Sequence, residues 1–235
     1  MANVDPQTLQ ELQDSINTLV NNDNDTPEVD SDDWNTILNL IYLAIRAWGT
    51  TQDILWRELW STYTHGSTLS GTTTYTLTTL TNYRFPGGAA QLVLNGVTSY
   101  VPFIKPEEAQ EYIDAGGKGV YITGSALNGY TLNLTWTPTA GDGTYGATVI
   151  FNYYKFPYKP TEVTEKVEMS DPNFIVYWVA AQKALLDSQR NKYSVFSSLA
   201  DESMDNMRVM NDMLPFGHRN TPNDIDALNG AVLGE

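Results

Sequence analysis

Apolar positions recur at two different periods along the chain, and the switches between them divide it. Helical spacing governs Leu9, Leu12, Ile16, Leu19 and Val20, and then Trp34, Ile37, Leu38, Ile41, Ile45 and Trp48, which predicts two amphipathic helices. From residue 69 to 156 the pattern changes to short runs rich in Thr, Val, Ile and aromatics, each bounded by Gly, Pro, Asn or Asp, at 72–77, 91–94, 119–122, 130–136 and 147–154. Such runs predict β-strands. Helical spacing returns with Phe174, Ile175, Trp178, Ala181 and Leu185 as the expected buried face, and continues through Tyr193, Phe196, Leu199, Met204, Met207, Met210 and Met213 to Pro215. The expected fold is α+β: a helical bundle from N- and C-terminal helices with an inserted antiparallel β-sandwich-like module. The divisions expected are an acidic N-terminal arm with a short helix over 1–32, a helical body over 33–64 and 165–214, the β-module over 65–164 and an extended C-terminal tail over 215–235.

Local signals refine the helices. Asp5 followed by Pro6 suits a helix start, Asp33 is the expected cap of the second helix, and Ser170-Asp171-Pro172 is the expected start of the C-terminal pair. Leu40, Tyr42 and Leu43 widen the apolar stripe of the second helix, which predicts burial on more than one side. Gly49-Thr50-Thr51 marks a break, and a further turn or two carries Ile54, Leu55, Trp56, Leu59 and Trp60. The polar, acidic stretch 21–32 reads as a connector. The methionine series reads first as a core-facing helix stripe and second as an adaptable docking surface.

Charge narrows the function classes. The chain of 235 residues carries a formal charge of −15, and nine acids precede its first basic residue, Arg46. A surface of that sign repels phosphates, so sequence-reading of nucleic acid is not expected. With no cysteine there are no disulfides and no thiolate chemistry. The first residues, Met1-Ala2-Asn3-Val4-Asp5-Pro6, predict no signal peptide, and the apolar stretch 37–48 is too short for a membrane span.

Candidate chemistry is thin. His65 and His218 stand far apart, and Asp23-Asn24-Asp25 lacks the later glycine and glutamate of a calcium loop. Gly116-Gly117-Lys118-Gly119 lacks the rest of a phosphate loop and reads as a hairpin turn. Glu107 and Glu108 read as first-turn acids of a short helix. Neither a catalytic group nor a cofactor or metal site is expected.

The order of elements carries more. A Trp-bearing helix is followed by Tyr75-Thr76-Leu77, by Gln91-Leu92-Val93-Leu94-Asn95-Gly96, and by Val101-Pro102-Phe103-Ile104-Lys105-Pro106-Glu107-Glu108. Next come Gly119-Val120-Tyr121-Ile122-Thr123-Gly124, Leu132-Asn133-Leu134-Thr135-Trp136-Thr137-Pro138 and Phe151-Asn152-Tyr153-Tyr154-Lys155-Phe156-Pro157, and a helical pair opened by Asp171-Pro172 closes the series. Over about 33–214 the chain resembles the head-to-tail adaptor proteins of short-tailed bacteriophages.

The resemblance implies a structural virion protein at the head-tail junction, present in the host cytoplasm during assembly. Its partners would be the portal protein, tail or nozzle components and further copies of itself in a cyclic homo-oligomer, a dodecamer by resemblance. DNA would pass as non-specific cargo, with no membrane involved. A closed ring requires a heterologous interface, and twelve such chains would carry a charge on the order of −180, so the joints must be apolar or must segregate the acids. Trp34, Trp48, Trp56, Trp60 and Trp178 are the candidate subunit-interface residues. Met210, Met213, Ile225, Leu228, Val232 and Leu233 form the candidate portal-docking tail, and Asp23, Asp25, Asp30, Asp32 and Asp33 the candidate acidic channel or solvent face. The alternative reading, a carbohydrate-binding β-sandwich with helical flanks, rests on Tyr121, Tyr130, Trp136, Tyr145, Tyr153 and Tyr154.

Overall fold

A computed structural model describes residues 7–21, 27–52 and 54–213. In chain order these form α1 (Leu9–Asn21), α2 (Asp32–Gly49), β1 (Trp60–Thr64), β2 (Thr74–Leu77), β3 (Tyr83–Pro86), β4 (Ala90–Leu94), β5 (Val97–Val101), α3 (Ala109–Asp114), β6 (Val120–Ser125), β7 (Gly129–Leu134), β8 (Thr148–Lys155), α4 (Asn173–Leu186) and α5 (Arg190–Met213). The fold is α+β, with helices flanking a β-module built of two antiparallel sheets. Two compact units result: a helical one from the described residues up to Glu58 and from Pro157 onward, and a β-unit over Leu59–Phe156.

In the helical unit α4 is the shared element, packed against by α1, α2 and α5. Its first half is apolar almost all round, and Phe174, Ile175, Val176, Val179 and Ala180 are all buried, as a central helix requires. The expected arm is corrected here: Leu9, Leu12 and Ile16 are fully buried, so α1 belongs to the helical core. A capping box starts it, with the Glu11 carboxylate accepting the Thr8 N–H at 2.7 Å and the Thr8 hydroxyl accepting the Glu11 N–H at 3.2 Å. The same end is tied to the 163–167 segment, because Leu9 donates to the Glu165 carbonyl at 2.9 Å and Val167 to that of Gln7 at 3.1 Å. Asp5 and Pro6 lie outside the described residues.

The cap of α2 is Ser31, not Asp33. Its hydroxyl accepts the Trp34 N–H at 3.2 Å, and Asp32 and Asp33 occupy the first turn, where carboxylates complement the helix dipole. Replacing Ser31 by Ala orphans that N–H. The expected cost is about 1 kcal/mol, read from urea midpoints at unchanged slope.

The segment from Trp60 to Thr64 is a strand where the sequence suggested more helix. Alternation of Trp, Thr and Tyr suits a pleated surface, and β1 pairs antiparallel with β8 from Trp60↔Tyr154 to Thr64↔Ile150. The β-unit therefore begins before residue 65. It also ends before 164, since the bonds to α1 place the segment after Pro157 with the helices.

In the larger sheet β8 has β1 along one edge and β3 followed by β4 along the other, with β5 beyond β4. The smaller sheet runs β2-β7-β6. Alternation turns Val149, Phe151, Tyr153 and Leu92 inward from the first sheet, to meet Tyr75, Leu77, Tyr130, Leu132 and Leu134 from the second in one buried cluster. Each such fully buried large side chain contributes about 1.5–3 kcal/mol relative to exposure. β3 and β5 were not among the expected strands. β5 follows a two-residue turn at Asn95 (φ 51°) and Gly96 (φ 80°), the Asn-Gly pair that a tight hairpin favours.

Gly116-Gly117 is not a hairpin turn but the C-cap of α3. Gly116, at φ 69°, donates to the Ile113 carbonyl, and Gly117 donates to that of Tyr112 at 2.8 Å. A second cap of the same bonding pattern ends α4.

Candidate interaction surfaces

His218 lies outside the described residues, and three titratable side chains within them are held by their surroundings. His65 is buried in the β-unit between Tyr63 and Tyr75, and burial pushes its pKa down. Asp142 anchors a loop. Burial alone would raise its pKa, but bonds from the Thr144 hydroxyl and N–H, the Thr139 N–H and Lys118 outweigh that and hold the carboxyl well below the usual range. Glu165 is held at about 2 by the Tyr158 hydroxyl at 2.6 Å, followed by the Glu162 and Thr161 N–H groups. Among the described residues there is no group of three or more His, Cys, Asp or Glu placed to hold a metal ion, and no helix is long and apolar enough to cross a membrane.

The aromatic residues behind the carbohydrate reading are dispersed. Tyr130 and Tyr153 belong to the sandwich core, and Tyr154 is buried under Trp60 and Phe85 on the other face of its sheet. Trp136 donates to the Thr144 hydroxyl at 3.0 Å, with the Lys118 ammonium over its ring, and Tyr145 is exposed.

The expected tryptophan interface is corrected for three of its five members. Trp34, Trp48 and Trp56 are fully buried within the helical unit, and the Trp56 Nε1–H donates to the Trp48 carbonyl at 2.8 Å. Trp60 and Trp178 are half-buried. α2 packs against α4 and α1, but the residues that widen its stripe are not fully covered, Leu40 and Tyr42 being half-buried and Leu43 50% exposed.

The methionine stripe is a core face only in part, with Met207 fully buried and Met204 half-buried. Ala200, Ser203 and Met207 supply the buried side of α5, with the Ser203 hydroxyl donating to Asp171 at 2.6 Å, whereas Met210 is 42% exposed. The Met213 side chain and all of Ile225, Leu228, Val232 and Leu233 lie outside the described residues, as do Asp23 and Asp25. Asp30, Asp32 and Asp33 are exposed where α2 begins.

What the sequence reading missed is the exposure of the apolar residues at the turn between α4 and α5. Leu185 was expected on the buried face. It is 50% exposed, and Leu186 is 67% and Val195 58% exposed. The turn closes with Ser188 donating to the Leu185 carbonyl at 3.1 Å and Gln189 donating to that of Ala184 at 2.8 Å. This is a Schellman cap with Ser188 at φ 60° where glycine is usual. Cationic side chains surround the turn, with Arg190 and Lys192 exposed and Lys183 half-buried. The missed signal was two consecutive leucines placed immediately before the polar stretch that ends the helix.

Apolar and acidic side chains are also exposed on the described residues either side of positions 22–26. Leu19 is at the exposed end of α1, Val29 is 49% exposed, and Glu28, Asp30, Asp32 and Asp33 are exposed around it. The chain matches no family model, and no curated protein matches it.

Proposed function

We propose that this chain is a structural virion protein, a head-to-tail adaptor that forms a ring between the portal and the tail of a short-tailed bacteriophage and leaves a channel for DNA. The observation that carries the reading is the order of its parts: a Trp-bearing helical unit interrupted by a β-sandwich and resumed by a helical hairpin that Asp171-Pro172 opens. The residue strings that resemble the adaptors fall at working positions of that plan. Tyr75-Thr76-Leu77 lies on β2, Asn95-Gly96 turns the β4–β5 hairpin, and Lys105-Pro106-Glu107-Glu108 leads into α3. Asp171 bonds both the Asn173 N–H at the start of α4 and Ser203 on α5, so the motif also fastens the hairpin.

Exposed apolar side chains on the helical unit support an assembling role, since a surface rich in acids needs apolar points to offset repulsion between copies. The test is assembly with the portal protein of the same phage. Mixing the two and measuring mass is expected to give a ring on a ring. A chain that stays monomeric with portal across protein concentration and salt would refute the reading.

A further inference from the structure

We infer that the outer edge of β5 is a docking surface for a second copy of this chain, and that the two β5 strands pair antiparallel about a two-fold axis at Ser99. β5 ends the larger sheet and pairs only with β4. The Asn95-Gly96 turn is flanked by Leu94 and Val97, the residues whose backbone groups close a two-residue hairpin. Bonding direction alternates along a strand, so Val97, Ser99 and Val101 address β4, whereas Thr98 and Tyr100 aim their N–H and C=O groups away from the sheet. Neither of those two makes a further hydrogen bond among the described residues. Val97 through Tyr100 are all exposed. Such an edge is a template for another strand, and proteins that keep it single guard it with charge, proline or a bulge. β5 has none of these, since Val-Thr-Ser-Tyr-Val is uncharged and meets β4 in unbroken register.

Two features select a second copy. The chain is uncharged from Phe85 to Ile104, so two β5 edges meet without opposing acids although each chain carries −15. The strand is also its own complement. Centred on Ser99, the pairing sets Thr98 against the partner's Tyr100 and Tyr100 against the partner's Thr98, which engages every outward backbone group of both strands. Centred on Tyr100 it would set Thr98 against the partner's Pro102, which has no N–H and whose carbonyl already accepts the Val120 N–H at 3.0 Å. Centred on Thr98 it would set Tyr100 against the partner's Gly96, in the turn at φ 80°.

The side chains agree with the Ser99 register. Tyr100 would lie beside the partner's Thr98, an aromatic and β-branched pair of the kind that stabilises adjacent strands. On the other face Val97, Ser99 and Val101, with Leu92 and Leu94 opposite them on β4, line a cleft of about 510 Å³. The partner's Val97 would come alongside Val101 at its margin. A two-fold joint is isologous and cannot be the lateral contact of a cyclic ring. It therefore does not depend on the adaptor reading, and it would pair free chains or join two rings face to face.

The absence of native cysteine makes the joint testable by disulfide trapping on the full chain. In this register Ser99 meets the partner's Ser99 as a non-hydrogen-bonded pair with Cα atoms about 4.5 Å apart, within disulfide reach. Mild oxidation of Ser99→Cys is expected to give a linked dimer. Val97→Cys is the control, on a side chain 70% exposed. It stands four residues along the strand from the partner's Val97, a separation of about 13 Å, and should link at least about tenfold more slowly. Ser99→Lys and Ser99→Glu should each sediment as monomers, because like charges oppose on the axis, and their mixture should reach twice the 26.2 kDa of one chain.

Ser99→Cys that links no faster than Val97→Cys, a Ser99→Lys chain that dimerises alone, or a Lys and Glu mixture that stays monomeric overturns the joint. Ser99→Cys that links only to an added portal or tail protein assigns the edge to a different partner and also overturns it. Rings on portal without a Ser99→Cys dimer would keep the adaptor reading and discard this joint, and a dimer in a chain that portal does not bind would do the reverse.

Discussion

Replacing Trp48 by Ala is expected to cost the helical unit about 3–5 kcal/mol, the range for deleting a large aromatic from a packed core, and to leave the β-unit folded. Trp48 is fully enclosed, its ring centroid lies 5.7 Å from that of Trp56, and its own carbonyl accepts the Trp56 indole N–H. Removing the ring would leave a cavity at the point where α2 ends and the chain turns toward β1, with Gly49 beside it pressed against Pro157. The Trp48 Nε1–H is itself buried without an acceptor among the described residues. Trp48→Phe removes that orphaned donor while keeping most of the volume, so it should be far milder, under about 1.5 kcal/mol.

The two substitutions together separate a core residue from an interface residue. Thermal unfolding followed by circular dichroism on the monomer should show the loss for Trp48→Ala and little change for Trp48→Phe. If Trp48 instead served a subunit contact, Trp48→Ala would leave the monomer's melting unchanged and lower only the mass of the assembly. A chain of this size with two units need not melt in one step, so the transitions have to be resolved before midpoints are compared.

The same residue illustrates what could be read from sequence and what could not. The change of hydrophobic period gave the helical and β parts and their order, because burial on one face of a helix or sheet leaves its spacing in the sequence. It could not say which neighbour covers a wide stripe. Trp34 and Trp48 look identical in sequence whether α4 or a second subunit packs on them, and α4 arrives from more than a hundred residues away. Strand β1 was missed for a related reason: Trp56, Leu59 and Trp60 continue the helical rhythm of α2, and only pairing with β8, distant in sequence, fixes the extended form. Strand β3 is short and holds Pro86, which weakens any strand signal. The exposed leucines of the α4–α5 turn were hidden by good helical spacing, since periodicity reports which face a residue shares but not where along the helix the partner ends.

Pairing with β8 also sets the second large effect, expected at Gly87. This glycine sits between β3 and β4, where its N–H donates to the Asn152 carbonyl at 2.8 Å and keeps the two strands on the edge of β8. The Trp60 indole covers it, and a Cβ built there would come within 2.6 Å of the Trp60 Cη2. The same ring meets Tyr154 in an edge contact at 4.9 Å between centroids, and Tyr154 is packed in turn by Phe85 at 5.1 Å. Gly87→Ala therefore forces a choice between moving Trp60 off Tyr154 and pulling the Gly87 N–H from Asn152. Overpacking of this kind costs about 1–3 kcal/mol, and the loss should fall on the β-unit. The cause is checked by a double-mutant cycle. In a Trp60→Ala background the obstacle is gone, so adding Gly87→Ala should cost little more than zero, leaving a coupling of about 1 kcal/mol or more between the two sites. Strictly additive losses would mean that the backbone at Gly87, and not the indole above it, is what excludes a side chain.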